Sequence, residues 1–336
     1  MKAVIIDGGE VKVKEMERPK PSKGEVLVKM KITGLCGTDI EKIEGKYTAS
    51  MQIIGHEPIG IIEDVGEGVD VLKPGDRVFV HHHVPCYECW YCRKGSPTMC
   101  PHYRKTNIYP GGFSEYFLVP SWNVERGGII NLSDEISDER GIFIEPLATV
   151  IRAYKRLNVE EDDRVLIVGA GPMGLLHMLM LLSKGVNNVF VSDIREYRLS
   201  FVEKLGGIAV KEENLNKVIM SETEGRGADI VVVATGNSKA ISSGLRLVRR
   251  GGKLCIFGVP FKGSYLDYDL ADLLSNEISI ITSNAASEED IRISVNLLKE
   301  KISAEKLVTH KIPLQYFLEA VKIYKEGRAM KIAIIP

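Results

Sequence analysis

The stretch Val165-Leu166-Ile167-Val168-Gly169-Ala170-Gly171-Pro172-Met173-Gly174 constrains the fold of this chain more than any other. Four apolar residues end in a glycine-rich turn, and Pro172 stands where a helix can begin. The glycines fit the spacing G-x-G-x-x-G. Gly169 permits the turn, Gly171 lets the backbone approach a pyrophosphate, and Gly174 lets helix and strand pack closely. Pro172 and Met173 then open a helix whose unpaired N–H groups and positive dipole end suit the phosphates. Three glycines alone also suit an ordinary strand-to-helix turn, so the context decides. A second strand-like run, Val189-Phe190-Val191-Ser192, ends at Asp193, about 20 residues beyond the glycines. An acid at that tip accepts hydrogen bonds from both ribose hydroxyls of NAD and repels the extra phosphate of NADP. Arg195 and Arg198 follow closely and leave a weak dual preference open; NAD is the expected cofactor.

Strand-like and helix-like segments alternate around this motif: 165–168 then 172–183, 188–192 then 196–205, followed by 229–234, 239–247, 253–257 and 278–282. Such alternation predicts an α/β fold with a doubly wound parallel sheet covered by helices on both faces. Before it the texture differs. Short β-type runs at 26–32, 59–65 and 77–80 are broken by Gly66, Gly68, Pro74 and Gly75, which suggests a compact β-barrel or sandwich. Helices at 288–299 and 315–324 and a strand at 331–335 follow, and could pack against either half. A length of 336 residues accommodates two such domains.

With 44 Lys and Arg against 45 Asp and Glu, the chain lacks the field of a nucleic-acid or membrane-surface binder. The longest apolar stretch, 175–182, is interrupted by His177 and falls short of the ~18 residues a membrane span needs. The apolar part of Met1 to Asp7 is too short for a signal peptide, so the cytoplasm is the expected location.

Four of the six cysteines crowd into fifteen residues as Cys86-x-x-Cys89-x-x-Cys92-x7-Cys100, unlike a disulfide framework spread over a small secreted domain. Four thiolates at this spacing can wrap one tetrahedral ion with no open position, which makes a structural site. An iron–sulfur cluster also uses four cysteines, but nothing else in the chain points to electron transfer. A second set is dispersed: Cys36, then His56 and Glu57, then Glu145. Singly, each suits a bland role, such as a buried hydrophobe, a hydrogen-bonded histidine or a helix-start acid. Beside a nucleotide site and a closed metal loop, they read as three protein ligands with an open position, the requirement of catalytic zinc. The run His81-His82-His83 has no ligand spacing and is expected to be a solvated loop; Cys255 is expected in the core.

Taken in order, Leu35-Cys36-Gly37-Thr38-Asp39, Gly55-His56-Glu57, Gly75-Asp76-Arg77-Val78, the cysteine loop, Gly112-Phe113-Ser114-Glu115-Tyr116, Glu145-Pro146-Leu147-Ala148 and the Gly169 motif resemble the zinc-dependent medium-chain dehydrogenases, which include alcohol, polyol and threonine dehydrogenases. The resemblance implies a GroES-like catalytic domain from 1–146 and 286–336, and a Rossmann NAD-binding domain at 147–285. It implies two zinc ions per chain and a homo-oligomer, either dimer or tetramer. Cys36 and His56 match catalytic zinc ligands, and Glu57 and Glu145 match acids that bind the metal or stand close behind it. Glu145 replaces the Cys usual in alcohol-oxidising members, as in the sorbitol and polyol branch. Thr38 matches the hydroxyl that passes on the substrate proton. Asp193 and Arg198 match adenosine-ribose contacts; Phe257, Gly258 and Val259, with Ser283 and Asn284, match segments touching the nicotinamide half. Many relatives carry a relay His five residues after the ligand Cys. Here Glu41 stands there, and either takes over the relay or leaves the proton another path. The implied reaction moves a hydride from a secondary hydroxyl of a polyol, sugar or sugar acid to NAD+, giving a ketone. L-threonine and simple secondary alcohols are alternative substrates, and a non-catalytic NAD-binding protein is the remote alternative.

Overall fold

Residues Met1–Pro146 with Ala286–Pro336 form one compact unit, and Leu147–Ala285 a second. The computed structural model describes residues 1–7, 10–45 and 53–336. In the first unit β1 (Lys2–Asp7) and β2 (Glu10–Glu15) make an antiparallel hairpin with Val4 opposite Val13. Then come β3 (Val26–Leu35), β4 (Pro58–Val65), β5 (Arg77–Val80), β6 (Tyr116–Val119) and β7 (Ile129–Asn131). The valine- and isoleucine-rich strands enclose a core that includes Val28, Met30, Ile62, Val78 and Phe117, as β-branched residues on a pleated surface favour.

The second unit is a six-stranded sheet of β8 (Val165–Val168), β9 (Val189–Asp193), β10 (Ile208–Lys211), β11 (Ala228–Val233), β12 (Val248–Ile256) and β13 (Ser279–Thr282). All its pairings are parallel, in the order β10-β9-β8-β11-β12-β13. This is the Rossmann order, with the reversal between β8 and β11. The central strands β8 and β11 read as nearly unbroken Val, Leu and Ile because both faces of a parallel sheet are covered. The helix Pro172–Ser183 starts at its proline, where the missing N–H would have had no partner anyway.

The chain then returns to the first unit through the helix Glu288–Glu300, opened by a capping box between Ser287 and Asp290. Strands β14 (Val308–Pro313) and β15 (Lys331–Ile335) complete the order β14-β15-β3-β4-β5-β7, with β6 also on β3. Ala333 pairs with Gly34 in antiparallel register, which fixes the tail on β3. The hairpin and the short strands β6, β7, β10 and β14 carry no strong periodicity and escape a sequence reading. Strand β12 starts at Val248, earlier than the expected 253, because Val248 pairs with Ala228 before an irregularity after which Lys253 pairs with Ile230.

Candidate active site and metal centres

The four-cysteine loop closes on itself. Cys89 precedes the single helical turn Trp90–Arg93, and Pro97–Met99 forms a short turn before Cys100. Their sulfurs lie within 4.8 Å of one another, with Cys86–Cys100 at 3.4 Å and Cys89–Cys92 at 3.6 Å. A tetrahedron built on ~2.3 Å zinc–sulfur bonds has edges of about 3.8 Å, whereas a disulfide needs about 2.05 Å. The separations fit a shared ion and do not fit a disulfide. Backbone N–H groups of Cys89 and His102 donate to Cys86 Sγ and Cys100 Sγ at 3.3 and 3.4 Å, which favours thiolates. Burial works against charge on Cys86, but the amides of Glu88 and Cys89 outweigh it and bring the thiol down to about 7. Burial, with Cys89 beside it, pushes Cys92 up to about 12.

The dispersed set meets where β3, β4 and β15 end together. Strand β3 delivers Cys36 to the start of the helix Gly37–Ile43, where its N–H donates to Asp39 Oδ2 at 3.1 Å. The other oxygen of Asp39 accepts from Gly55 N at 2.9 Å and faces His56 Nδ1 at 3.2 Å. One buried carboxylate thus ties the Cys36 turn to the His56 turn. Gly55 has φ +79°, and a Cβ there would lie 2.5 Å from Phe113 N, so the turn requires glycine. Ligand atoms of Cys36, His56 and Glu57 lie within 4.8 Å of one another. Thr38 Oγ1 is 3.5 Å from His56 Nε2, and Glu41 stands one turn further along the helix, outside the group of three. Glu145, in the first turn of the helix Ile144–Leu157, also lies outside it, yet is buried and close enough for its charge to act on Glu57.

Burial opposes charge on His56, but the Asp39 carboxylate more than offsets it and holds the imidazole well above its usual value. Burial pushes the Glu57 carboxyl up, while the Lys331 ammonium, its ion-pair partner, works the other way. Oε1 of this fully buried Glu57 has no hydrogen-bond partner. An orphaned carboxylate oxygen beside a thiol and an imidazole is what a bound cation would satisfy, so the donor set fits zinc.

The expectation of a solvated loop at His81-His82-His83 is wrong. His81 is fully buried, with Nδ1 2.7 Å from Glu288 Oε1, and Asn123 Nδ2 donates to the carbonyls of His81 and His82 at 3.0 Å each. His82 is buried too, its ring 5.1 Å from that of His56 and 4.1 Å from that of His83. Burial drives His82 well below the usual imidazole value and takes His83 to about 3. The cause lies far along the chain. Glu288 supplies the buried partner, and no local pattern announces it. His82 is therefore a neutral polar group beside the candidate centre that the sequence reading missed; its position just past the apolar β5 was the available signal.

In the second unit, the expected nucleotide residues follow the carboxyl ends of parallel strands, with Pro172, Met173 and Gly174 in the helix after β8 and Arg198 in the helix Glu196–Lys204 after β9. Gly169 follows β8 with φ +105°, and a Cβ on Gly174 would lie 1.8 Å from Gly169 O. Asp193 ends β9, where Oδ2 accepts from Ala170 N at 2.8 Å and from Arg198 at 3.4 Å, and Oδ1 accepts from Arg195 N at 2.9 Å. These bonds lock the acid against the glycine turn. Phe257, Gly258 and Val259 follow β12, and Ser283 and Asn284 follow β13, with Ser283 Oγ buried and unpartnered. Gly236, just past β11, was missed. A Cβ there would lie 2.0 Å from Val259 O, so two strand-end loops touch through glycine. Such an edge beside the order reversal is where open α/β sheets bind ligands. Cys255 is a buried core residue on β12, as expected.

Residues 22–127 match the family model described as alcohol dehydrogenase GroES-like domain, and 172–300 match that described as zinc-binding dehydrogenase. L-threonine 3-dehydrogenase of Coxiella burnetii is 30% identical over 327 residues, covering 94% of this chain and 93% of its own. Sorbitol dehydrogenase of Halalkalibacterium halodurans is 29% identical, covering 98% and 96%. Among solved structures, an alcohol dehydrogenase from Thermus sp. ATN1 superposes with a TM-score of 0.89 at 28% identity, covering 100% of this chain and 99% of the other.

Proposed function

The chain belongs to the zinc-dependent medium-chain dehydrogenases, and on that premise we propose that it oxidises a secondary hydroxyl of a polyol, sugar or sugar acid with NAD+, giving a ketone. The observation that carries this reading is the convergence of Cys36, His56 and Glu57 within 4.8 Å, with Thr38 Oγ1 3.5 Å from His56. Cys36, His56 and Glu57, with Glu145 close behind, would hold the catalytic zinc; Cys86, Cys89, Cys92 and Cys100 would hold a structural one. When bound, zinc supplies a Lewis acid that acidifies the substrate hydroxyl, and the nicotinamide supplies the hydride acceptor.

The remaining work falls to the side chains of this chain. Asp39 fixes the His56 ring through Nδ1, leaving Nε2 directed toward the centre. Thr38 Oγ1 would take up the substrate proton as it releases its own hydroxyl proton, and Glu41, one turn along the same helix, would pass that proton outward. His82, its ring 5.1 Å from that of His56, would offer a polar group to a polyhydroxylated substrate, in favour of a polyol over a simple alcohol. L-threonine is the second reading, supported by the relative of that activity.

Gly169, Gly171, Pro172, Met173 and Gly174 would cradle the pyrophosphate, with Phe257, Gly258, Val259, Ser283 and Asn284 on the nicotinamide half. Asp193, held by Ala170 and Arg195 amides, would favour NAD because its charge repels a 2′-phosphate, and Arg198, 3.4 Å from Asp193, would contact the same ribose. A homo-oligomer is supported by the edge strand β13 and the exposed Tyr265, Leu270 and Leu274 in the segment before it. A reducing compartment, the cytoplasm, suits a chain whose cysteines are all unbridged, and no described helix is long and apolar enough to cross a membrane. The test is cofactor reduction against a panel of polyols, sugar acids, L-threonine and secondary alcohols with NAD+ and NADP+. Activity confined to L-threonine or to simple secondary alcohols, or no reduction with any member of the panel, sinks the proposal.

A further inference from the structure

Strand β15 carries Lys331, only 5% exposed, into a neighbourhood of anions. Its ammonium pairs with Glu57, feels the charges of Cys36 and Asp39, and lies 5.6 Å from the centre of the Phe143 ring. A lone buried lysine would shed its proton, and a lone buried carboxylate would take one up. Each is the buried counter-group of the other. The backbone is shaped around the pair. Gly34 of β3 lies opposite Ala333, and a Cβ on it would sit 1.8 Å from Glu57 Oε2 and 2.8 Å from Lys331 Cε. Any side chain at position 34 would part them.

The charges around this pair lead to opposite effects in two states of the protein. Glu57 is wholly buried, and Glu145 adds a repulsive charge to it. Asp39 already pairs with His56, whose charge also reaches Glu57, so Lys331, in direct contact, is the main cation that compensates Glu57 while the chain folds without metal. A dication among the same donors supplies that compensation itself, and the ammonium then becomes a like charge that also competes for Glu57. Resting on the metal reading above, we propose that Lys331 is the counter-cation that assembles the donor set in the metal-free folded chain, and that it weakens the hold on zinc in doing so. The centre is preformed and its metal exchangeable, with Lys331 acting as a positioning residue through Glu57.

The test compares metal-stripped and zinc-titrated full-length protein as wild type, Lys331→Met and Lys331→Arg. Thermal midpoints and zinc dissociation constants, the latter by competition with a chromophoric chelator, are read on each. Any change at the cysteine loop is common to the three and cancels. In Lys331→Met the metal-free midpoint falls by roughly 5–10 °C, while zinc binds the Cys36 cluster about tenfold more tightly. Lys331→Arg keeps both readouts near wild type. A lower midpoint with weaker zinc binding marks an ordinary structural pair and overturns the proposal, as does an unchanged midpoint. If Lys331→Met does not fold, Lys331→Met/Glu57→Gln, with neither partner charged, is expected to fold without metal; its failure overturns the pairing. Failure of the metal reading is separately visible. Wild type would then hold one zinc per chain, and Cys36→Ser would lose none.

Discussion

The two sulfur-bearing clusters of this molecule are built on opposite plans. The cysteine loop takes all its donors from fifteen consecutive residues, has three of them partly exposed, and stabilises its thiolates with its own backbone amides. The Cys36 cluster draws donors from separate turns, buries its acids, and holds them with the distant Lys331 and the orienting Asp39. The first can be loaded as a local event; the second exists only once β3, β4 and β15 are together. A closed local site suits scaffolding, and a site assembled from several strands can leave a position open for chemistry.

Breaking this contrast should have its largest effect at the dispersed cluster. Cys36→Ser or His56→Ala is expected to lower kcat/KM by at least about 10³-fold while NAD binding, followed by fluorescence titration, stays within about twofold. Retained turnover in a metal-verified variant would refute the assignment. Cys89→Ser should do the reverse in kind. It loses one zinc per chain and lowers the thermal midpoint by several degrees, with activity falling only as far as the folded fraction. A variant that keeps its midpoint yet loses turnover would erase the distinction between the sites.

Asp193→Ala should weaken NAD about tenfold and NADP less, read as the ratio of the two kcat/KM values. Equal losses would remove the ribose role. The smallest effect concerns acid. His177, buried on the helix after the glycine turn, is brought to about 3 by burial, and its Nε2 has no partner. The unfolded chain takes up a proton near the ordinary 6.5 while the folded chain does not. Stability from this group is therefore complete above that value and is lost as pH falls from it toward 3, at about 1.4 kcal/mol per pH unit. His177→Leu should raise the midpoint at pH 5 more than at pH 8, and an equal gain at both would count against the buried neutral imidazole.

The same contrast governs what the sequence makes legible. The glycine turn, the helix from Pro172, Asp193 at its strand tip and the four cysteines are each contained within a few tens of residues, and spacing alone exposes them. Cys36, His56, Glu57 and Glu145 have no telling spacing and become candidates only beside the nucleotide motif and the cysteine loop, and through a resemblance across the whole chain. Lys331 and Gly34 are not visible at all, because their partners lie on other strands, and His82 shows only as the residue after a strand, because its neighbour His56 comes from a distant turn. The misreading of His81 shares that cause, since Glu288 sits 207 residues away. Local chemistry is written locally; burial and pairing are not.

The pairing of Gly34 with Ala333 joins positions about 300 residues apart, with the whole second unit between them. During synthesis β3 emerges early, and its Thr33–Leu35 end lacks the β15 partner until the last residues are made, while residues 147–285 have all their own sheet partners in hand. A waiting edge is exposed to wrong pairing. The nucleotide-type unit is thus free to fold first. The Cys36 cluster gains its lysine only at the end, so the complete donor set belongs to the last stage of assembly.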